Sequence, residues 1–259
     1  MTRRRFVPAV AGAALASSAG AANTEHSIIE LRRFDLRNTV DNQKQRTTEF
    51  LEHTALPALR RAGMGPVGFF ANTIAPDGPF LIQLLSFPSF GAMGELVHKL
   101  ENDSEYRKGL IAFNSGPQPG YERMESRLLL SFGMPQIVPP PQSEGRHAGH
   151  LFELRMYESP NSTTLRRKIR MFNEGEMAIF QRLGMQPVFF GETIIGTKMP
   201  NLCYMLSFDD LAARERLWKA FGSDPEWQKL RAKPGYSDGE IVSNISNIIL
   251  SPLPFSQIR

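Results

Sequence analysis

Two copies of a Glu-Leu-Arg triplet are the residues of this sequence best suited to do chemistry. Glu30-Leu31-Arg32 lies early in the chain, and Glu153-Leu154-Arg155 follows 123 positions later. In a β-strand the first and third side chains of such a triplet point to the same side. A carboxylate and a guanidinium would then stand together. They could orient a ligand through its carboxylate or oxyanion, or they could form a structural ion pair.

Other side chains share the face of this pair if the alternation continues on neighbouring strands. Gln83 and Tyr204 occupy equivalent positions, 121 residues apart, in strongly apolar segments. We interpret this face as the lining of a ligand-binding barrel lumen. Its candidate residues are Glu30, Arg32, Gln83, Glu153, Arg155, Tyr157 and Tyr204. The opposite face, which we expect to pack against helices, carries Ile29, Leu31, Phe152, Leu154 and Met156.

The candidates for catalysis are His53, Glu153 and Arg155. His53 or Glu153 could move a proton, and Arg32 or Arg155 could stabilise an oxyanion. Glu174 takes the place of His53 in the second copy, so a solvated helix position is the alternative for this histidine. The histidines follow no ligand spacing, so we expect no metal centre.

A literal G-x-G-x-x-G match at 63–68 does not indicate a dinucleotide site. Such a fingerprint must follow a strand and open a helix, whereas this one follows a predicted helix and opens a strand. Gln186 and Phe189 replace two of its glycines in the second copy. We therefore expect no cofactor.

The candidate residues are positioned by a module that occurs twice. At an offset of 121, Gly63-Met64 matches Gly184-Met185 and Ser86-Phe87 matches Ser207-Phe208. Each copy predicts the order strand, helix, two strands, helix, strand. The first copy has strands at 27–34, 67–74, 80–87 and 125–132, with helices at 41–62, kinked by Pro57, and from 89 to about 113. The second has strands at 151–157, 188–195, 201–208 and 240–250, with helices at 162–183 and after a cap at Asp209 or Asp210.

The strand at 152–157, the Gly-Met-x-Pro-Val-x-Phe turn at 184–190 and the segment Asp224-Pro225-Glu226-Trp227 resemble the NIPSNAP family. The resemblance covers both copies and is closer in the second. It implies an α+β fold of two tandem ferredoxin-like (βαββαβ) modules of the dimeric α/β-barrel type. The bare sheet faces would pack together, either within one chain as a pseudo-dimer or between the chains of a homo-oligomer.

Two functional hypotheses follow for the predicted lumen. In the first, the protein binds a small, partly apolar molecule there or acts as an interaction module. In the second, it is a cofactor-independent oxygenase-like or lyase-like enzyme that uses the same lumen. We favour the first, because the polar groups recur symmetrically in both copies, whereas an enzyme needs one asymmetric set of proton-transfer groups.

The first residues are typical of an export signal. Arg3-Arg4-Arg5 precedes a short apolar stretch and Ala19-Gly20-Ala21, and Thr2 to Val7 resembles the twin-arginine motif. Residues 1–22 hold three of the 30 basic residues and no acid, so 27 basic and 26 acidic residues remain after cleavage. This balance favours neither nucleic acid nor an anionic membrane as a partner.

We accordingly divide the chain into an export signal with a short lead-in (1–26), a first module (27–132), a Pro-rich linker (133–149) and a second module (150–259). The apolar stretch of the signal is too short to span a bilayer, so we expect no integral membrane segment in the mature chain. The expected location is the periplasm or another compartment outside the cytoplasm.

The export hypothesis predicts that the mature protein begins near Ala22. N-terminal sequencing of the protein purified from its own host measures this directly. Recovery of an intact Thr2 would contradict the hypothesis.

Overall fold

The computed structural model describes residues 26–38, 40, 42–141 and 150–259. The predicted export signal, except for His26, lies outside the described residues, as does the part of the predicted linker from 142 to 149. Among the described residues, no helix has the length and apolar character needed to cross a membrane.

The elements of residues 27–132, which we call the first repeat, follow the order strand, helix, two strands, helix, strand. The first helix is interrupted by a π-helical turn. The elements are β1 (Ile28–Asp35), α1 (Gln43–Phe50), the π-helical turn Leu51–Ala55, α2 (Leu56–Arg61), β2 (Gly68–Ile74), β3 (Phe80–Phe87), α3 (Phe90–Asn102), α4 (Ser104–Asn114) and β4 (Arg123–Ser131).

Residues 150–259, the second repeat, have the same plan with one additional short helix. The elements are β5 (Leu151–Glu158), α5 (Ser162–Met171), the π-helical turn Phe172–Glu176, α6 (Met177–Leu183), β6 (Gln186–Ile195), β7 (Asn201–Phe208), α7 (Leu211–Ser223), α8 (Pro225–Arg231), α9 (Asp238–Ile241) and β8 (Asn244–Pro252). The π-helical turns, β3 and β7, α3 and α7, and β4 and β8 all begin 121 residues apart. Positions in the two repeats can therefore be compared one by one.

The strands of both repeats build one barrel. In the part of the chain that the structure describes, eight antiparallel strands close in the order β1-β3-β2-β8-β5-β7-β6-β4. The two repeats meet at two seams, where β2 pairs with β8 and β4 pairs with β6. The barrel thus closes within one chain, which is one of the two arrangements that the sequence left open.

The barrel lumen is filled by apolar side chains from both repeats. Phe70 of the first repeat contacts Phe152 of the second edge to face, with ring centroids 4.9 Å apart. Ile29, Leu31, Met156 and Met205 belong to the same buried cluster. The interior of an eight-stranded barrel is just wide enough for side chains to fill. The lumen is therefore a shared hydrophobic core.

The start of the predicted linker belongs to this core. Ile137, which follows β4, is buried in the lumen cluster, and Ile258, which follows β8, is its counterpart 121 residues later. The backbone N–H of Val138 donates to the carbonyl of Val188 at 2.9 Å. The segment after each final strand thus closes one end of the barrel.

The outer face of the barrel is covered by helices, and one ion pair recurs on them. Asp103 caps the N-terminus of α4 and pairs with Arg61 at 2.7 Å. Asp224 caps α8 and pairs with Arg182 at 2.9 Å. Carboxylates at helix N-termini satisfy free backbone donors and favour the helix dipole. The same ion pair therefore joins α4 to α2 in the first repeat and α8 to α6 in the second.

Two details of the predicted elements need correction. The break in the first helix, predicted at Pro57, is a π-helical turn that ends at Ala55, and the second repeat has the same turn with Ala178 in place of that proline. The last strand begins at Asn244, and the predicted start at Glu240 falls within α9. Of the two predicted caps of α7, Asp210 accepts the backbone N–H of Ala213.

The shared core predicts that neither repeat is stable as a monomer. Residues 150–259 expressed alone should self-associate, because the lumen faces of Phe152 and Met205 would lie bare in water. Analytical ultracentrifugation measures the association state. An equimolar mixture with residues 27–132 should restore a 1:1 complex. A well-behaved monomer of residues 150–259 would contradict the shared core.

Candidate functional site

The seven predicted lumen residues share one face of the sheet, but that face lies under the helices. The prediction that Glu30, Arg32, Gln83, Glu153, Arg155, Tyr157 and Tyr204 line the lumen is therefore wrong. The lumen side holds Ile29 and Leu31, which the sequence had placed against the helices. Alternation shows which residues share a face, but both faces of this sheet are covered, so it does not show what covers each one.

In the second repeat, Glu153 is the centre of a closed hydrogen-bond network. Its carboxylate accepts Arg155 Nη1 at 2.8 Å, Arg214 Nε at 2.9 Å and Arg214 Nη2 at 2.6 Å. It also accepts Trp218 Nε1 at 2.7 Å and Asn247 Nδ2 at 2.8 Å. The Glu153 side chain is fully buried. Five donated hydrogen bonds and two guanidinium groups satisfy this carboxylate within the protein.

Arg155 connects Glu153 to two tyrosines. Its Nη2 donates to the Tyr157 hydroxyl oxygen at 3.3 Å, and the Tyr204 hydroxyl donates to the same oxygen at 2.8 Å. The guanidinium carbon lies 4.4 Å from the centroid of the Trp218 ring, a distance typical of cation–π contacts. Apart from Arg155 Nε, which is buried without a hydrogen-bond partner among the described residues, these groups use their polar atoms on one another, so we assign them to stabilising the second repeat.

A buried ion pair that the sequence analysis missed adjoins this network. Lys168 Nζ lies 2.8 Å from Glu176 Oε2, and both side chains are almost fully buried. The ammonium also faces the rings of Phe172 and Trp227 at 4.8 and 5.4 Å. The burial of Lys168 was not predictable from the sequence, because this residue falls within the basic run 166–170, which is typical of a solvated helix face.

The two buried carboxylates of the second repeat have opposite pKa shifts. Burial would raise the pKa of Glu153, but hydrogen bonds from Arg214, Asn247 and Trp218 and the charge of Arg155 together lower it. Burial raises the pKa of Glu176 by more than Lys168 lowers it. Glu153 is thus held as a carboxylate by its donors.

The equivalent carboxylate in the first repeat has two donor residues among those described, whereas Glu153 has four. Arg32 donates to Glu30 through Nε at 3.1 Å and through Nη2 at 2.9 and 3.2 Å. The Ser126 hydroxyl donates to Glu30 Oε1 at 2.6 Å. The Glu30 side chain is 2% exposed, whereas that of Arg32 is 31% exposed. The carboxylate is therefore buried beside an arginine that still reaches solvent.

This pair borders a cavity of about 160 Å³ between the sheet and the helices α1 to α4, which we call the first-repeat cavity. Its walls are apolar and aromatic, with Leu51, Leu59, Leu96, Phe50 and Phe113 among them. Its polar lining comes from Glu30, Arg32, Gln83, Asn114, Tyr106 and Tyr121. An apolar space with a few convergent polar groups is typical of a small-molecule site.

Four polar side chains of this cavity, those of Gln83, Tyr106, Asn114 and Tyr121, make no hydrogen bond to another described residue. Gln83 is only 3% exposed and lies opposite Arg32 across the β1–β3 pair. Tyr106 is partly buried, and burial raises the pKa of its hydroxyl against the opposing charge of Arg32. The phenol therefore stays protonated at neutral pH. An amide and a hydroxyl remain available to a ligand.

In the second repeat, larger side chains occupy the equivalent positions. Leu51, Ala55, Leu59 and Gln83 of the cavity lining correspond, at the offset of 121, to Phe172, Glu176, Phe180 and Tyr204. Phe172, Phe180 and Tyr204 contact one another there, with ring centroids 5.3 to 6.3 Å apart. The second repeat is therefore solid where the first is hollow. Comparing residue sizes at the 121 offset is the sequence signal that could have found this difference.

The third catalytic candidate, His53, does not reach the first-repeat cavity. Its side chain is 71% exposed, and its Nε2 lies 3.8 Å from the Glu52 carboxylate. The solvated alternative is the one that the structure supports. With Glu153 and Arg155 enclosed in the second-repeat network, the structure does not bring the three candidates together.

A second cavity, of about 440 Å³, lies at one end of the barrel. We call it the barrel-end cavity. Leu31, Leu154 and Arg127 are among its lining residues, and Arg127 Nη1 lies 3.3 Å from the sulfur of Cys203. Burial raises the pKa of the Cys203 thiol despite this arginine. The thiol is therefore protonated and fully buried, as expected for a core residue.

Residues 152–257 match the NIPSNAP family model. The second repeat is therefore similar to the NIPSNAP family, as its Phe-Glu-Leu-Arg-Met-Tyr strand and Asp-Pro-Glu-Trp segment indicate. The chain is also similar to the solved structure of a NIPSNAP-like domain protein from Burkholderia xenovorans, with 25% identity and a TM-score of 0.37 over 42% of this chain and 90% of that one. None of the curated proteins matches the chain in sequence.

Among the solved structures that match almost the whole chain are two bacterial proteins. Both proteins are named "putative monooxygenase". The one from Fusobacterium nucleatum has 12% identity and a TM-score of 0.58, over 88% of this chain and 92% of that one. The one from Lactobacillus acidophilus has 10% identity and a TM-score of 0.57, over 87% and 93%. At these identities the likeness shows a shared α/β-barrel fold.

The unequal networks predict unequal losses of stability. Glu153→Gln should lower the free energy of unfolding by about 3 to 5 kcal/mol, because two arginines lose a buried carboxylate. Glu30→Gln should lower it by about 1 to 3 kcal/mol, because Arg32 can be rehydrated. Urea unfolding of the two matched variants measures both losses. Equal losses of unfolding free energy in the two variants would contradict the stronger dependence on Glu153 than on Glu30.

The lowered pKa of Glu153 predicts a pH-dependent stability. Its folded-state pKa lies below the ordinary value of 4.5, so the unfolded chain binds a proton more readily. The contribution of Glu153 is complete above pH 4.5 and is lost as the pH falls through the folded-state pKa. Urea unfolding at a series of acidic pH values gives the free energy of unfolding as a function of pH. This free energy should fall less steeply with decreasing pH in Glu153→Gln than in the unchanged protein. The same pH dependence of the unfolding free energy in both proteins would contradict the lowered pKa of Glu153.

Proposed function

We propose that the protein binds a small, largely apolar molecule in the first-repeat cavity. In this proposal the chain consists of two ferredoxin-like modules, 27–132 and 150–259, and works outside the cytoplasm after removal of the signal. The proposal keeps the ligand class that the sequence favoured. It moves the site from the lumen to the space between the sheet and the helices of the first repeat.

The contrast between the two repeats carries the proposal. Both repeats conserve the Glu-Leu-Arg strand, but only the second fills the space above it with Phe172, Phe180 and Tyr204. Closing the space would need only larger side chains, as the second repeat demonstrates. An open cavity forfeits dispersion contacts and apolar burial. A binding role for the first repeat explains why that cost is tolerated.

The polar groups of the cavity support a ligand with one polar end. Gln83 offers an amide donor and acceptor, and Tyr106 offers a hydroxyl. Glu30 and Arg32 lie on the same wall. A ligand that forms hydrogen bonds with these groups gains both affinity and a fixed orientation.

An oxygenase-like enzyme that acts on the bound molecule is the second candidate function. It is favoured by the two structural relatives named as monooxygenases, which match almost the full length of the chain. In such an enzyme Arg32 would stabilise a developing oxyanion, and Tyr106 would act as a proton donor. Oxygen consumption in the presence of a ligand identified by native mass spectrometry separates an enzyme from a binding protein.

Filling the first-repeat cavity should abolish binding without unfolding the protein. The double variant Leu51→Phe, Leu59→Phe copies Phe172 and Phe180 of the second repeat. We expect it to remain folded, because the added rings enter empty space, and to lose the binding of fluorobenzene measured by fluorine NMR. Native mass spectrometry should likewise show that it no longer retains a ligand from its own host.

The matched control fills the other cavity. Leu154→Phe adds a ring to the barrel-end cavity and should leave fluorobenzene binding unchanged. Binding that survives in the double variant and disappears in Leu154→Phe would refute the proposed site and restore the lumen as the binding site.

A further inference from the structure

We propose that the ligand of the first-repeat cavity is a planar aromatic molecule whose N–H or O–H donates to Glu30 while its ring lies against Arg32. This inference rests on the proposed function, because it specifies the chemistry of the molecule that the cavity binds. It comes from a comparison of Glu30 with its counterpart Glu153.

The second repeat contains a side chain that occupies the equivalent place. Trp218 of α7 lays its indole ring against Arg155, with the guanidinium carbon 4.4 Å from the ring centroid. The indole Nε1 donates to Glu153 Oε2 at 2.7 Å. One aromatic side chain therefore stacks on the arginine and donates to the carboxylate of the same Glu-Leu-Arg triplet.

The first repeat lacks this side chain and its neighbour. At the offset of 121, Val97 of α3 replaces Trp218, and Met93 replaces Arg214. Both Val97 and Met93 line the first-repeat cavity together with Glu30. The helix that supplies three hydrogen bonds to Glu153 thus supplies only apolar groups to Glu30. The space that corresponds to the Trp218 indole ring of the second repeat is therefore part of the cavity in the first repeat.

The carboxylate of Glu30 has capacity for another donor. Among the described residues, its Oε2 accepts only Arg32 Nη2, at 3.2 Å, whereas Glu153 Oε2 accepts Arg214 and Trp218 at 2.9 and 2.7 Å. Each of the two carboxylate oxygens offers about two lone-pair sites, so Oε2 can accept one further donor. Because the Glu30 side chain is 2% exposed, water competes poorly for the vacant sites. A ligand N–H or O–H would be strongly bound there.

The same geometry disfavours an anionic ligand. Arg32 directs both Nε and Nη2 at Glu30, so its charge is already compensated. A second carboxylate near Glu30 would meet like-charge repulsion in a poorly solvated site. A neutral donor avoids that repulsion. The sequence-based expectation that the arginine binds a carboxylate is replaced by a role for the glutamate as acceptor.

The volume of the cavity limits the ring system. An apolar cavity of about 150 Å³ is known to bind benzene, and the first-repeat cavity measures about 160 Å³. Val97 is 51% exposed, so the cavity opens to solvent along α3. One aromatic ring, or two small fused rings that project toward this opening, fits the space.

Two isomeric probes test the donor directly. 3-Methylindole and 1-methylindole have the same volume, but only the first retains the N–H. Isothermal titration calorimetry should show 3-methylindole binding about tenfold to hundredfold more tightly, the range expected for a hydrogen bond to a charged acceptor. Benzoate should bind more weakly than 3-methylindole.

Two variants connect the preference to the named residues. Glu30→Met with Arg32→Met replaces the ion pair by apolar side chains of similar length, a change that proteins often tolerate. This variant should bind both isomers equally. Val97→Trp reproduces the second repeat and should reduce the binding of both isomers at least tenfold, because its own indole fills the cavity.

The outcomes separate this inference from the proposed function. If fluorobenzene binds but the two isomers bind equally to the unchanged protein, or benzoate binds most tightly, the inference is refuted and the binding site stands. If none of the probes binds, both the proposed binding site and this inference about its ligand are refuted. A preference for 3-methylindole that persists in the Glu30→Met, Arg32→Met variant would also overturn the inference.

Discussion

The structure depends on the packing of apolar side chains inside a barrel that two repeats build together. Each repeat contributes four strands, and neither sheet can bury its inner face alone. The contact of Phe70 with Phe152 joins the two halves at the centre of this core. Because an eight-stranded barrel has little room beyond its own side chains, the centre of the lumen is apolar, and the charged residues Arg33 and Arg127 of the lumen face lie at the barrel-end cavity. The Glu-Leu-Arg strands therefore place their polar groups beneath the helices.

Duplication allows the two outer faces to differ. In the second repeat, Glu153 is enclosed by five hydrogen bonds, and Lys168 pairs with Glu176 beside it. In the first repeat, Glu30 keeps few partners and borders a cavity. The barrel needs both repeats for stability, but it needs only one of them to be solid on the helix side. The other is free to hold a ligand at the cost of some packing.

The helices and strands were largely predictable from the sequence, because the signals for the start and end of each one occur in both repeats. Asp210, Asp103 and Asp224 cap helices as such residues are expected to do. The face of the sheet was not predictable from alternation, since Leu31 and Phe34 are both buried, on opposite sides. What covers each side is decided by strand pairing between the repeats, and no local pattern encodes that pairing.

The candidate site was predictable in its residues and not in its surroundings. Glu30, Arg32 and Gln83 do meet at one cavity. Their counterparts Glu153, Arg155 and Tyr204 meet as well, but within a packed network. The difference depends on side chains of other elements, such as Val97 and Trp218, that approach the pair only in the folded chain. A residue-by-residue comparison at the 121 offset records the change in size, but only the fold shows that it opens a cavity.

The central claim is that the first repeat has a cavity where the second repeat is filled by side chains. Binding of xenon tests this claim most directly, because xenon occupies apolar cavities in proteins. Crystals pressurised with xenon should show a bound atom between the sheet and α1 to α4, close to Leu59, and none at the equivalent position close to Phe180. Xenon beside Phe180, or an empty first repeat with xenon only at the barrel end, would contradict the account.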